Sequence, residues 1–205
     1  TVCPANAVSM ESSRAGELAL YRDDTHVFST AKLSMGSGTS GKLVAEVKKR
    51  MVSAAGNAEL AIIDGSPGIG CPVIASISGV NMVLIVAEPS LSGLSDMERI
   101  VKTAVSFPVK IAVCINKADI NPAKTEEIQA FCRAGGIPYA GAIPFDTDAV
   151  KAINSGKSIA ERDSPSGRAI QKVYRNVITL LFEEVKGHDN KSSVGKHNDV
   201  EGIRV

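Results

Sequence analysis

An aspartate set directly behind a short apolar run, with glycines following it, is a combination suited to phosphate chemistry. Leu60-Ala61-Ile62-Ile63 reads as a buried strand that stops at Asp64, and Gly65-Ser66-Pro67-Gly68-Ile69-Gly70 comes next. A carboxylate at the tip of a buried strand can act on Mg²⁺, directly or through water. The glycines let the loop move when a γ-phosphate leaves, which is the Walker B arrangement. On these residues alone, an aspartate that merely caps the following turn is the competing reading.

A second group closes the apolar run Val109–Ile115: Asn116-Lys117-Ala118-Asp119, an NKxD tetrad. Such a tetrad can read a purine edge. The Asn side chain offers both a donor and an acceptor, the Lys stem covers the ring, and the Asp accepts from a guanine edge. The alternative is a strand-to-helix turn in which Asp119 caps the next helix. A third group, Pro144-Phe145-Asp146, follows the run Ile137–Ile143. A loop there can close over a base through its backbone, and an N-cap by Asp146 or Thr147 is compatible with that role.

Other candidates carry less. Gly36-Ser37-Gly38-Thr39-Ser40-Gly41-Lys42-Leu43 fits GxxxxGK but ends in Leu, where a phosphate loop needs a Ser or Thr hydroxyl for Mg²⁺. The run before it, Ser29–Met35, is interrupted by polar residues, so Ser40 or Gly41 reads as a helix cap. Cys3-Pro4 has the form of the last ligand in a ferredoxin cluster run, CxxCxxCxxxCP, whose other cysteines would lie upstream. Cys71, Cys114 and Cys132 look structural, and His26, His188 and His197 lack metal-ligand spacing.

These groups need elements to hold them. Glu17–Arg22 and His26–Lys32 are β-prone runs joined by Asp23-Asp24-Thr25, a predicted hairpin. Leu43, Val44, Val47 and Met51 share a helical face, and Pro72–Gly79 is a short helix candidate. Met82–Ala87 is a strand, and the capping box Ser95-Asp96-Met97-Glu98 predicts a helix burying Met97, Ile100, Val101, Ala104 and Val105. Asn121-Pro122 opens another helix and Gly135-Gly136 ends it. Asp146–Asn154 and about 166–186 are the last two predicted helices. Apolar strands alternating with amphipathic helices imply a parallel sheet covered on both faces, with ligands bound beyond the carboxyl ends of its strands.

The bulk numbers fit one such domain. With 205 residues, 44% hydrophobic, 22% charged and a net charge of +1, nothing favours nucleic acid or an anionic membrane as partner. No apolar run approaches membrane-spanning length. Scattered cysteines without a CxxC pair argue for a reducing cytoplasm, and 4% aromatic residues argue against a stacking platform for bases.

Taken in order, IIDGSPGIGCPVIASISG, LIVAEPSLSGLSDMERI, VCINKADIN and GAIPFD resemble the MinD/ParA-like P-loop ATPases, and more closely those with an inserted ferredoxin domain. The resemblance covers about Cys3 to Ile170. It implies an α/β fold with a mostly parallel, doubly wound sheet, here without its N-terminal P-loop strand and helix. It implies residues 1–16 as the tail of the ferredoxin insert and 17–41 as the hairpin returning from it. Residues 42–186 become the C-terminal half of the ATPase domain; 187–205, by its polar, glycine-containing composition, reads as a disordered tail.

The resemblance also implies a function. Asp64 corresponds to the Walker B aspartate and would be catalytic through Mg²⁺. Gly65–Gly70, including Gly65 and Gly68, corresponds to switch II. Asn116, Lys117 and Asp119 would contact the base, with Pro144, Phe145 and Asp146 beside it. ATP, Mg²⁺ and a 4Fe-4S cluster with Cys3 as a ligand are the implied cofactors. A homodimer and a redox partner protein are the implied partners, in the cytoplasm. The family's KGGxGKT loop is missing from this sequence, so the chain is not expected to hydrolyse ATP alone. Other readings are a GTPase, which Asp119 would suit although position 67 is proline where GTPases use DxxG, and a non-catalytic dimerisation or partner-binding module.

Overall fold

The computed structural model describes residues 4–5, 7, 15–36, 38 and 40–183. Cys3 and the predicted tail 187–205 lie outside the described residues, as does most of the 1–16 segment. The described residues fall into two compact units, one running to Gly65 with Gly70–Ser76 added, the other formed by Ser66–Ile69 and the chain from Ile77 onward.

In the first unit, β1 (Gly16–Arg22) pairs antiparallel with β2 (Val27–Leu33) in the register Gly16↔Leu33 to Arg22↔Val27, which is the predicted hairpin. Its turn is closed by Asp23, whose Oδ1 accepts from Thr25 N at 2.8 Å and His26 N at 2.7 Å. Helix α1 (Ser40–Ala54) lies against β2, and Ser29 Oγ donates to Val47 O at 2.9 Å. The glycine of the GK pair has a packing role: a Cβ on Gly41 would come within 2.9 Å of Cys71 Cβ, at the start of α2 (Cys71–Ile77). The strand before that pair belongs to an antiparallel hairpin, whereas a phosphate loop follows a buried parallel strand. Lys48 is the one buried residue of α1, and its Nζ donates to Ala75 O at 2.9 Å and Ser76 O at 3.1 Å near the end of α2.

The predicted strand Leu60–Ile63 is not formed. The segment makes no ladder among the described residues, and Ile62 is 77% exposed. A parallel strand is held by neighbours on its edges, and without one an apolar run is only extended chain.

The second unit is the predicted parallel sheet. β3 (Met82–Ala87), β4 (Lys110–Asn116) and β5 (Tyr139–Ile143) pair in that order, all parallel. β4 is central, and apolar from Ile111 to Ile115, because both faces are covered. Val113 and Ile115 point into a core shared with Met97 and Val101 of α3 (Leu91–Ala104) and with Ile128 and Cys132 of α4 (Pro122–Ala134). Ala112 and Cys114 point the other way, onto Val173 of α6 (Pro165–Phe182). This alternation is the period-2 geometry of a strand. Completely burying a side chain such as Ile115 contributes about 1.5–3 kcal/mol.

Helix boundaries depart from expectation in three places. α3 begins one turn before the Ser95 capping box, because Ser90 caps it by accepting from Gly93 N at 2.9 Å. At its other end Val105 is the C-cap and is exposed rather than inward. α6 ends at Phe182, short of 186, where Lys110 Nζ donates to Leu180 O at 3.0 Å and to Leu181 O at 2.9 Å. Asn121 and Pro122 open α4 as predicted, and Asp146 caps α5 (Thr147–Asn154). No described helix is long and apolar enough to cross a membrane.

Candidate functional site

The carboxyl ends of the parallel strands gather two of the predicted groups in the second unit, together with the Glu88–Ser90 turn. β3 runs out into Glu88-Pro89-Ser90, β4 into Asn116–Asp119, and β5 into Pro144–Asp146. The turn after β4 is fixed from several directions. Ala118 N donates to Ile143 O at 3.0 Å, Ile120 N donates to Lys117 O at 3.1 Å, and Thr125 Oγ1 donates to Ala118 O at 2.6 Å. Lys117 is the one non-glycine among the described residues with positive φ, at 53°. A left-handed side-chain-bearing residue costs about 1–3 kcal/mol and persists where its surroundings over-determine it.

Each predicted residue has a distinct environment. Lys117 Nζ pairs with Glu88 Oε1 at 2.7 Å. Asp119 Oδ1 accepts the backbone N–H of Phe145 at 2.7 Å, so the NKxD turn and the loop after β5 are tied together. Phe145 keeps its ring about half exposed. Asp146 is committed to structure: Oδ1 accepts Asp148 N at 2.8 Å at the start of α5, and Oδ2 accepts Ser166 Oγ at 2.8 Å in the first turn of α6. The Ser166 hydroxyl and then the Asp148 N–H hold its pKa at about 2. Asn116 is half-buried at the end of β4, and its carboxamide has no hydrogen-bond partner among the described residues. A donor and an acceptor therefore stand together, uncommitted, at the sheet's carboxyl edge.

Asp64 and Gly65 belong to the first unit and Gly68 to the second. Asp64 is exposed and follows the unpaired 60–63 segment. Gly68 has φ 86°, which an L side chain rarely adopts, so the loop after Asp64 has a real requirement for glycine there. Gly70 O then accepts from Val73 N at 3.0 Å and Ile74 N at 3.2 Å, opening α2.

Metal fit differs between the two implied groups. Among the described residues no set of three or more His, Cys, Asp or Glu gathers to hold an ion. Mg²⁺ needs no such cage, because it keeps several waters and takes one or two carboxylates plus substrate phosphates. The exposed Asp64 suits that demand. The described cysteines do not suit an iron–sulfur cluster: Cys114 and Cys132 are buried in different cores and Cys71 is exposed. Burial pushes the Cys114 thiol up to about 11 and raises that of Cys132, whereas cluster ligation needs thiolates.

Two contacts of this edge have no counterpart in the spacing of the motifs. Glu88 follows the predicted strand Met82–Ala87 and has no role of its own in the sequence alone, and its acidic type beside Lys117 becomes meaningful once β3 and β4 are neighbours. Ser166 reaches Asp146 across 20 residues, a contact no local pattern marks.

No protein-family model matches the chain. An uncharacterized protein of Methanocaldococcus jannaschii is 29% identical over 148 residues, which are 71% of this chain and 49% of that protein. The septum site-determining protein MinD of Helicobacter pylori is 29% identical over 153 residues, 69% of this chain and 56% of that one. A Drosophila melanogaster protein, the cytosolic Fe-S cluster assembly factor Nubp1 homolog, is 23% identical over 145 residues, 60% of this chain and 46% of its own. The chain thus spans about half the length of the curated relatives it matches. Among solved structures, the cell division ATPase MinD of Pyrococcus furiosus superposes with a TM-score of 0.58 at 17% identity, covering 73% of this chain and 63% of that one. By sequence the chain is thus similar to MinD and Nubp1 proteins, and its ordered α/β elements carry a MinD-like fold.

Proposed function

We propose that this chain supplies the base-binding edge and the metal-site carboxylate of a MinD-like ATPase. The observation that carries the reading is the Asn116 carboxamide, uncommitted at the carboxyl end of the central strand beside a turn fixed by hydrogen bonds on every side. A purine is read by a group that both donates and accepts, and a carboxamide held by a rigid strand loses little entropy on doing so. The Lys117 stem lies next to it as cover for the ring, and Pro144 with Phe145 forms a wall. Asp146 contributes by holding that wall's far end to α5 and α6.

Asp64 acts on the metal side. Mg²⁺ held with the nucleotide phosphates would neutralise charge developing on the transferred group. Asp64 would hold that ion, directly or through water, and the glycines of Gly65–Gly70 would leave that loop free to follow the γ-phosphate. A phosphate-cradling loop and a second copy would complete such a site, and any iron–sulfur association rests on the Cys3-Pro4 resemblance and on the name of the Nubp1 relative. ATP hydrolysis coupled to a conformational or redox event with a partner protein is the activity that follows.

Competition of ATP and GTP for a fluorescent adenine nucleotide, in the full-length protein containing this chain, tests the reading. ATP is expected to compete better. Asn116→Ala is expected to weaken ATP by roughly tenfold, the scale of losing paired polar contacts to a buried base edge. Unchanged ATP affinity in that variant would remove Asn116 from the site.

A further inference from the structure

The hydrogen bond between Asp119 and Phe145 gives the NKxD aspartate a different task from the one its motif suggests. Resting on the nucleotide-site reading above, we propose that Asp119 is a positioning residue: it fastens the Pro144–Phe145 wall to the end of β4, and the purine is selected by Asn116 and that wall, not by Asp119.

Guanine presents two neighbouring donors, its ring N–H and its exocyclic amine, and pairing with both takes both oxygens of one carboxylate. In this protein Oδ1 of Asp119 already accepts the Phe145 N–H at 2.7 Å, 26 residues along the chain. The two loops are also joined by Ala118 N donating to Ile143 O at 3.0 Å, so the tie is a two-point one. Ala118 itself cannot swing to release it, because its carbonyl accepts Thr125 Oγ1 at 2.6 Å from the first turn of α4. The other end of the loop is equally anchored, through Asp146 to Asp148 and Ser166. What remains between the anchors is Phe145, with a half-exposed ring and an N–H that is already spent. A carboxylate that shares one oxygen with a backbone N–H is a weaker bidentate reader of guanine than a free one. It is well suited to setting the height of a wall against which a base lies. Adenine, which offers a donor and acceptors but no such pair of adjacent donors, needs nothing more from it.

The oxygen that accepts Phe145 N–H is present in an amide as well as a carboxylate, which makes the proposal separable from base reading. In Asp119→Asn, the Phe145 amide keeps its protection from hydrogen exchange, measured by NMR on this chain, and ATP preference over GTP is retained in the full-length protein. In Asp119→Ala, Phe145 protection is lost and affinity falls by roughly tenfold for ATP and GTP alike. Two results would overturn the proposal. One is unchanged Phe145 exchange in Asp119→Ala. The other is a gain of xanthosine triphosphate binding in Asp119→Asn, since an amide nitrogen donates to the carbonyl that xanthine carries in place of the guanine amine. If the wild type binds no nucleotide while Phe145 stays protected, the site reading fails and Asp119 is reduced to a loop tie.

Discussion

Lys117 Nζ lies 2.7 Å from Glu88 Oε1, an ion pair that joins the carboxyl ends of the neighbouring strands β3 and β4. Both side chains are about half exposed, so the pair itself is worth only ~0–1 kcal/mol. The backbone of Lys117 works against stability, at φ 53°. These magnitudes decide the sign for Lys117→Gly. Relief of the left-handed strain, ~1 kcal/mol, offsets loss of the ion pair. Its thermal midpoint is expected to equal or exceed the wild-type value while ATP affinity falls, because the stem over the ring is gone. A clear drop in the midpoint would mean that the strain is not where the φ angle puts it.

Gly93 makes a second, opposite case. Its Cβ would sit 2.2 Å from the backbone oxygen of Glu88 and 3.1 Å from Ser90 Oγ, the N-cap of α3. Helix propensity alone would credit Gly93→Ala with up to ~1 kcal/mol of stabilisation. The backbone clash reverses this, and urea denaturation is expected to show a loss of about 1–3 kcal/mol. Because Glu88 must shift, ATP affinity should fall with it. A stabilised variant would contradict the packing described for the end of β3.

Asp146 sets an acid-side prediction. Its folded-state pKa of about 2, held down first by the Ser166 hydroxyl and then by the Asp148 N–H, lies below the ~3.9 of an unfolded aspartate. A depressed carboxylate stabilises fully above the unfolded value, and the contribution is lost as pH falls through the folded one. Between about pH 4 and pH 2 the second unit should therefore lose stability in the wild type and lose less in Asp146→Asn. Asp23, also at about 2 through the N–H groups of Thr25 and His26, adds a similar slope in the hairpin of the first unit. Amide exchange in α5 and α6 separates the two. An identical acid dependence of those amides in the variant would show that Asp146 is not tied to the helix ends.

Much of the second unit was legible because its signals are local. β4 is marked by the apolar run Ile111–Ile115, as expected of a strand covered on both faces, and Asn121-Pro122 marks the start of α4 by side-chain and ring chemistry confined to adjacent residues. The start of α3 was harder, since Ser90 and Ser95 are both competent caps and only the chain's path out of β3 selects the first. Leu60–Ile63 has strand composition but no strand beside it among the described residues, and composition does not record a partner. Lys48 is opaque for a related reason: a lysine on a helix reads as solvated until the carbonyls of Ala75 and Ser76 are seen around its ammonium. The site divides the same way. Asn116, Lys117 and Asp119 were visible as a tetrad, yet Asp119's partner sits 26 residues on, and that distance hid its task.

Magnesium-dependent ATP turnover by the full-length protein, wild type against Asp64→Ala, is the most direct test of the account. The proposed function assigns Asp64 to the metal and Asn116 to the base, so the effects of the two substitutions should separate. The variant is expected to lose turnover by roughly a hundredfold or more, the equivalent of a few kcal/mol of lost charge stabilisation, while still binding the adenine nucleotide. Near-wild-type turnover in Asp64→Ala would contradict it.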